Sequence, residues 1–219
     1  MRKVVMGTVA TVALLAWFVA PLLAQARDGD RALDEKVKAF LARQAGAWHD
    51  WNVPEADGRL LYEIILRNGY RHALEIGTST GHSAIWIAWA LSKTGGRLIT
   101  VEIDEGRYRT ALENFREAGL AEFIDARLAD AHELVPKLPG PFDFVFSDAD
   151  KEWYRNYFDA LAPKVAAGGC YVTHNVSDSR WSRFGLGDYV DYIKGRKDFE
   201  TTFDDRGAGV AISCRRKGK

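Results

Sequence analysis

The chain is short of cysteine, of net charge and of repetition, and each shortage removes a class of protein. Its 219 residues hold two cysteines, Cys170 and Cys214. Their spacing and neighbours suggest neither a cysteine metal site nor a redox pair. Thirty basic side chains balance thirty acidic ones, so the electrostatic footprint of a nucleic-acid binder is missing. The basic end, Arg215-Arg216-Lys217-Gly218-Lys219, reads as a solvated tail. No internal repeat or low-complexity tract interrupts the chain. What remains is an ordinary globular balance, 47% hydrophobic and 27% charged. That length suffices for one α/β domain with a full core.

Charge is also missing locally. Arg2 and Lys3 precede an uncharged stretch from Val4 to Ala24. Ala24-Gln25-Ala26 then gives a small-x-small cleavage pattern before Arg27 and Asp28. This is the layout of a secretory signal peptide over residues 1–26, which implies a periplasmic or secreted protein. The rival reading is an uncleaved membrane anchor, for which the stretch is also long enough. Pro21 and the Ala-x-Ala pattern favour cleavage, which leaves 28 basic against 30 acidic residues. Export permits a disulfide. Both cysteines fall on expected strands near the end of the sheet, so a bridge is one alternative; the expectation is two buried thiols.

The rest alternates in period. Residues 31–45 place Leu33, Val37, Phe40 and Leu41 on one helical face, and 55–68 repeat the pattern with Leu60, Leu61, Ile64 and Ile65. An aromatic loop, Trp48 to Pro54, joins them. Residues 27–71 are thus read as N-terminal helices and lid. From residue 72 strands alternate with helices: strands at 72–77, 97–104, 123–130, 142–149 and 169–174, and a terminal hairpin of 199–204 with 210–214. Such alternation means a mostly parallel sheet with right-handed crossovers, helices on both faces.

Two stretches carry chemistry. Leu-Glu-Ile-Gly-Thr-Ser-Thr-Gly-His-Ser, residues 74–83, opens a helix directly after the first core strand. Its glycines admit a ligand close to the backbone. A dinucleotide fold would show Gly-x-Gly-x-x-Gly, and this spacing differs. Glu75 under the loop opposes pyrophosphate and suits a cationic ligand. Glu102, ending the second strand, can take the hydroxyls of a ribose. Asp130-Ala131, ending the third, can meet an adenine amine, although Asp130 alone reads as a helix cap. Ribose, adenine and a positive group together describe S-adenosylmethionine. The second stretch, Phe142 to Tyr154, is an apolar strand that ends in Asp148, Asp150 and Lys151. Open α/β sheets place their ligands at that end.

These motifs resemble the class I methyltransferases, and within them the metal-dependent O-methyltransferases related to catechol and caffeoyl-CoA O-methyltransferase. The resemblance covers about residues 53 to 216. It implies a Rossmann-like seven-stranded sheet with an antiparallel last strand, over residues 72–219. It implies S-adenosylmethionine bound by Glu75, Gly77, Thr78, Ser83, Glu102, Asp130, Ala131, Asp148 and Asp150. It implies a small hydroxylated, catechol-like aromatic acceptor and a homodimer. It also implies three metal ligands, mapping onto Asp148, His174 and Asn175, and a lysine base mapping onto Lys151. The family carries Asp-Asn where this chain has His174-Asn175. Losing a carboxylate weakens hard Mg²⁺ or Ca²⁺ binding, while imidazole suits Mn²⁺, Fe²⁺, Co²⁺ or Zn²⁺. The expectation is therefore an O-methyltransferase with a divalent metal, with His174 as a metal-free base as the second reading. A third is a histidine satisfied by hydrogen bonds at a strand end.

Trp181 and Phe184 could wall the acceptor, with Trp48 and Trp51 as a lid; each could equally be packing. The competing functional class is a catalytically silent S-adenosylmethionine-binding protein. Its motive is the histidine change together with an export signal, since the cofactor is made in the cytosol. A nicotinamide dehydrogenase is disfavoured by the loop spacing and by Glu75.

Overall fold

The structure is a computed structural model that describes residues 29–48, 51–178 and 184–218. The expected signal or anchor at 1–26 lies outside the described residues, as does Trp181. Among the described residues no helix is long and apolar enough to cross a membrane.

Seven strands form one sheet in the order β3-β2-β1-β4-β5-β7-β6. They are β1 (His72–Ile76), β2 (Arg97–Glu102), β3 (Ile124–Leu128), β4 (Phe142–Ser147), β5 (Val165–His174), β6 (Phe199–Asp204) and β7 (Val210–Arg215). Strands β1 to β5 pair in parallel, and β7 lies antiparallel between β5 and β6. The antiparallel strand is thus inserted beside β5, with β6 at the edge.

The helices are α1 (residues 29–43), α2 (Glu55–Asn68), α3 (His82–Thr94), α4 (Glu105–Ala118), α5 (Ala131–Leu134), α6 (Tyr154–Leu161) and α7 (Gly187–Gly195). The sheet's two faces carry separate cores. Phe144, Phe146 and Val172 join Leu61, Ile65, Ile85 and Phe115 on one face. Leu74, Val145 and Tyr171 join Tyr154, Phe158 and Ile193 on the other. Neighbouring residues of β4 and β5 therefore point to opposite layers, as a pleated strand requires. Helix α3 is apolar nearly all round because it is buried nearly all round, from Ser83 to Leu91. Trp89 Nε1 and Lys93 Nζ both reach Asp34 Oδ1 at 2.6 Å, which ties α1 across it.

Turn chemistry closes the elements as their sequences ask. Asp104 caps α4 by accepting from Arg107 N at 2.8 Å, and glycines in the left-handed conformation end α2, α3 and α4. Helix α6 is flanked by 3₁₀ turns at Lys151–Trp153 and Ala162–Lys164. Pro163 lies in the second of these turns, where a helix interior would lose a hydrogen bond.

The cysteines correct an expectation. Cys170 and Cys214 form a disulfide, not two thiols. The antiparallel register places them directly opposite on β5 and β7, with Cα atoms 4.0 Å apart. Sequence periodicity assigns both to strands but cannot supply that register.

The bridge closes a loop of 44 residues. Chain entropy then predicts a loss of about 4 kcal/mol on replacing both cysteines with serine. Urea unfolding of the oxidised chain against Cys170→Ser/Cys214→Ser measures it.

Candidate active site at the β1–β4 crevice

The strand order reverses between β1 and β4: the chain builds outward from β1 to β3, then returns to β4 and builds the other way. Ligands of open α/β sheets sit at such a switch point, beyond the carboxyl ends of the strands. Register makes the crevice narrow. Ile76 of β1 lies opposite Ser147 of β4, and Ser147 lies opposite Thr173 of β5. The next residues along, Gly77, Asp148 and His174, are brought together at one end of the sheet.

Gly77 shows how close the approach is. It has φ of 94°, and a Cβ there would lie 2.6 Å from the Asp148 carbonyl oxygen. Only glycine meets both conditions. The amides of Gly77 and Thr78 both donate to Val101 O, at 3.0 and 3.2 Å, which fixes the loop over β2. Thr78 is buried and its hydroxyl meets that of Thr100.

The acids expected around the cofactor take distinct environments. Glu75 is wholly buried. Thr100 donates to its Oε2, while Oε1 has no aligned hydrogen-bond partner. Burial pushes this carboxyl up to about 8, against the nearby Ser83 and Thr100 hydroxyls that pull it down; the charges of Asp148 and Glu102 add to the rise. Glu102 accepts from the backbone of Ser79 (2.7 Å), Ile103 and Asp104 (both 3.0 Å), so its carboxylate is pre-set at the strand end. Asp130 caps α5 through His132 N at 2.8 Å, with Ala131 as the first helical residue. Asp150 accepts from Glu152 N at 3.2 Å and meets His132 Nε2 at 3.3 Å.

The catalytic end is a row of alternating charge. Lys151 Nζ lies 2.7 Å from Asp148 Oδ1 and donates to Tyr154 OH at 2.8 Å. Tyr154 OH donates in turn to the His174 carbonyl at 3.0 Å. His174 Nδ1 lies 2.9 Å from Asp148 Oδ2, off the axis of a straight hydrogen bond. Its Nε2 lies 2.9 Å from Asp57 Oδ2. Both His174 and Asp57 are buried. Burial alone pulls His174 down, but Asp148 and Asp57 outweigh it and raise the imidazole to about 9. Asp148 is lowered: burial raises it, and His174 and Lys151 more than compensate.

Both ring nitrogens of His174 are thus taken up by carboxylates of the chain. Each ring nitrogen has a carboxylate oxygen 2.9 Å away, and a nitrogen that donates to a carboxylate has no lone pair left to accept a proton or bind a metal. Asp148 has a cation of the chain against each of its oxygens. Asn175 follows in the left-handed conformation, φ 58°. As they stand, Asp148, His174 and Asn175 do not fit a divalent ion. Among the described residues no group of three or more His, Cys, Asp or Glu is arranged to hold one.

Asp57 was not anticipated. In sequence it reads as a first-turn helix acid, and nothing local marks it as buried against residue 174. The aromatic lid is only partly realised. Trp48 stacks on His82, with ring centroids 4.4 Å apart, and so packs the N-terminal loop onto the glycine loop. Trp51 is 81% exposed. Phe184 lies over Lys151, with Nζ 5.6 Å from the ring centroid.

Residues 25–182 match the model of the O-methyltransferase family. The chain is 40% identical over 110 residues to a catechol O-methyltransferase of Niastella koreensis, covering 48% of this chain and 49% of that one. It is 33% identical over 135 residues to caffeoyl-CoA O-methyltransferase 1 of Eucalyptus globulus, covering 58% and 54%. The match thus spans about half the length of each relative. Among solved structures, an O-methyltransferase from Bacillus cereus in complex with S-adenosylhomocysteine superposes with TM-score 0.70 at 25% identity, covering 83% of this chain and 91% of that one. TomG of Streptomyces achromogenes, in complex with S-adenosylmethionine, gives 0.68 at 28% identity, covering 82% and 88%. With the glycine loop, the Asp148–Lys151 pair and the strand order all in place, this chain belongs to the O-methyltransferase family.

Proposed function

We propose that the protein transfers a methyl group from S-adenosylmethionine to a hydroxyl of a small, catechol-like aromatic. The observation that carries this reading is Lys151, an amine held by Asp148 at the mouth of the β1–β4 crevice beside the glycine loop. The named activities of the relatives, catechol and caffeoyl-CoA O-methylation, support the same acceptor class.

The crevice suits this cofactor. When bound, S-adenosylmethionine supplies a methyl group on a positively charged sulfur. Glu75 offers a buried carboxylate oxygen with no aligned partner, which a cationic ligand would satisfy. Glu102 is fixed by three backbone amides and keeps lone pairs for ribose hydroxyls. Asp130, Ala131 and Asp150 flank the expected adenine position.

The chain's own residues handle the acceptor. A phenol holds its proton at pH 7 and must shed it as the methyl arrives. Two of the Lys151 ammonium hydrogens serve Asp148 and Tyr154, and an acceptor oxygen can take the third. Lys151 accepts the phenol proton once its own third proton has passed to solvent. As the resulting ammonium it is balanced by Asp148. The ring of Phe184 offers a planar acceptor a face beside that amine. Holding the oxygen in line with the methyl is the remaining requirement, and orientation of that kind contributes strongly to rate.

The disulfide supports, as part of the same proposal, a site of action in an oxidising compartment reached through residues 1–26. A silent cofactor-binding protein finds no support in the geometry, because the amine and its carboxylate are both in place.

Lys151→Ala is expected to lower kcat by roughly 10²–10⁴-fold with cofactor affinity unchanged. Methyl transfer to catechol and isothermal calorimetry separate the two. Full retained activity would remove the assignment.

Glu75 generates a second expectation. Its raised value means that it stabilises the folded, ligand-free chain fully below its ordinary value of 4.5, and that this contribution is lost as pH rises through about 8. The carboxylate present above that pH favours a cationic ligand. Affinity for S-adenosylmethionine should therefore rise between pH 6 and 9, by up to about tenfold per unit below 8. Glu75→Gln should flatten that rise, as read by calorimetry across the range.

A further inference from the structure

We propose that Asp57 and His174 stand in place of a divalent metal: Asp57 clamps His174 as a fixed internal cation against Asp148, and methyl transfer then needs no metal ion. The inference rests on the O-methyltransferase reading and concerns how that site meets the acceptor oxygen. Asp57 is a positioning residue here, acting through His174.

The first argument is burial. Asp57 is 1% exposed, and a buried carboxylate persists only where a charge and hydrogen bonds compensate it. Both compensations come from remote segments. His174, at the end of β5, lies 2.9 Å from Oδ2, and the Ala208 amide, in the β6–β7 turn, donates to the same oxygen at 2.9 Å. The turn is built around the carboxylate: a Cβ on Gly207 would lie 1.9 Å from Asp57 Oδ1. Two remote parts of the chain thus converge on one carboxylate whose only ionic partner at this distance, among the described residues, is His174.

The second argument is charge. A carboxylate oxygen 2.9 Å from each nitrogen favours a protonated His174, and with it Asp57, His174, Asp148 and Lys151 form two anions and two cations, a neutral set. With aspartate at 174, the same four positions would hold three anions and one cation, a net charge of −2. A divalent ion would neutralise that set. Protonated histidine in place of aspartate adds the same two positive units from within the chain. A metal added to the present set would have to displace Lys151 from Asp148 or strip the proton held between two carboxylates.

The test uses the full chain and bare Mn²⁺ or Zn²⁺ as probes. After treatment with chelator, the wild-type chain should bind neither ion in calorimetry below millimolar concentration, and its methyl transfer should be unchanged. His174→Asp restores the third carboxylate and should gain at least a tenfold increase in Mn²⁺ affinity, with transfer now lost to chelator and restored by the ion. Asp57→Asn should lower kcat at least tenfold with cofactor affinity unchanged; in the His174→Asp background loaded with Mn²⁺ it should cost little more. A purely structural Asp57 would cost the same in both backgrounds. Stoichiometric Mn²⁺ or Zn²⁺ binding by the wild-type chain, or chelator-sensitive wild-type transfer, would overturn the proposal. The metal-binding arm reads out without turnover and needs no variant. A chain that binds S-adenosylmethionine but methylates nothing would therefore defeat the parent reading alone.

Discussion

Four charges in alternation, Asp57, His174, Asp148 and Lys151, hold the working end of this molecule together. Taking any of them out of water is costly, and the cost is met only by the next in line. That constraint reaches far beyond the site. Asp57 belongs to the first turn of α2, His174 to the end of β5, and Asp148 and Lys151 to the segment leaving β4. The N-terminal helices are therefore anchored to the sheet by charge as well as by apolar packing. The β6–β7 hairpin is drawn into the same arrangement, because its turn supplies the Ala208 amide. The disulfide reinforces this link from the other end, joining β5 to β7 at Cys170 and Cys214 while His174 pairs with Val210 four residues further on.

The other half of the crevice depends on a close backbone approach. Gly77 lets the loop after β1 touch the chain leaving β4. A side chain there would separate the cofactor loop from Asp148. On either side of that contact the environments diverge. Glu75 is buried with a hydrogen-bonding oxygen left over, and is driven toward its neutral form. Asp148, slightly more open, is driven toward its charged form by His174 and Lys151 beside it. Two carboxyls of one pocket are thus prepared for different partners, a cationic ligand and a fixed ammonium. The physical means are burial in one case and ion pairing in the other.

Much of this was legible in the residues because the relevant signals are local. The period of apolar positions marks α2 over 55–68 and the strand from Phe142, since each buries one stripe or one run. The glycines at 77 and 81 and the acids at strand ends announce a loop that accepts a ligand. Asp130 declares a helix start by its chemistry alone. The departure at His174 was also visible, as a histidine where the resembled family has aspartate. Its consequence was not. A histidine between one carboxylate and an open pocket has a nitrogen free for a metal or a proton; here a carboxylate oxygen lies 2.9 Å from each nitrogen.

The sequence by itself determined the layers of the fold, the cofactor loop and the place of Lys151 just past a core strand, because these follow from periodicity, turn chemistry and short motifs. Tertiary structure alone decided what His174 is. Its partner Asp57 lies 117 positions away in the chain, and only the packing of α2 beneath the end of β5 brings them within hydrogen-bond distance. The Cys170–Cys214 bridge was decided in the same way, by a strand register that no local signal contains. In both cases the deciding quantity is a distance between remote residues, and a distance of that kind is a property of the fold.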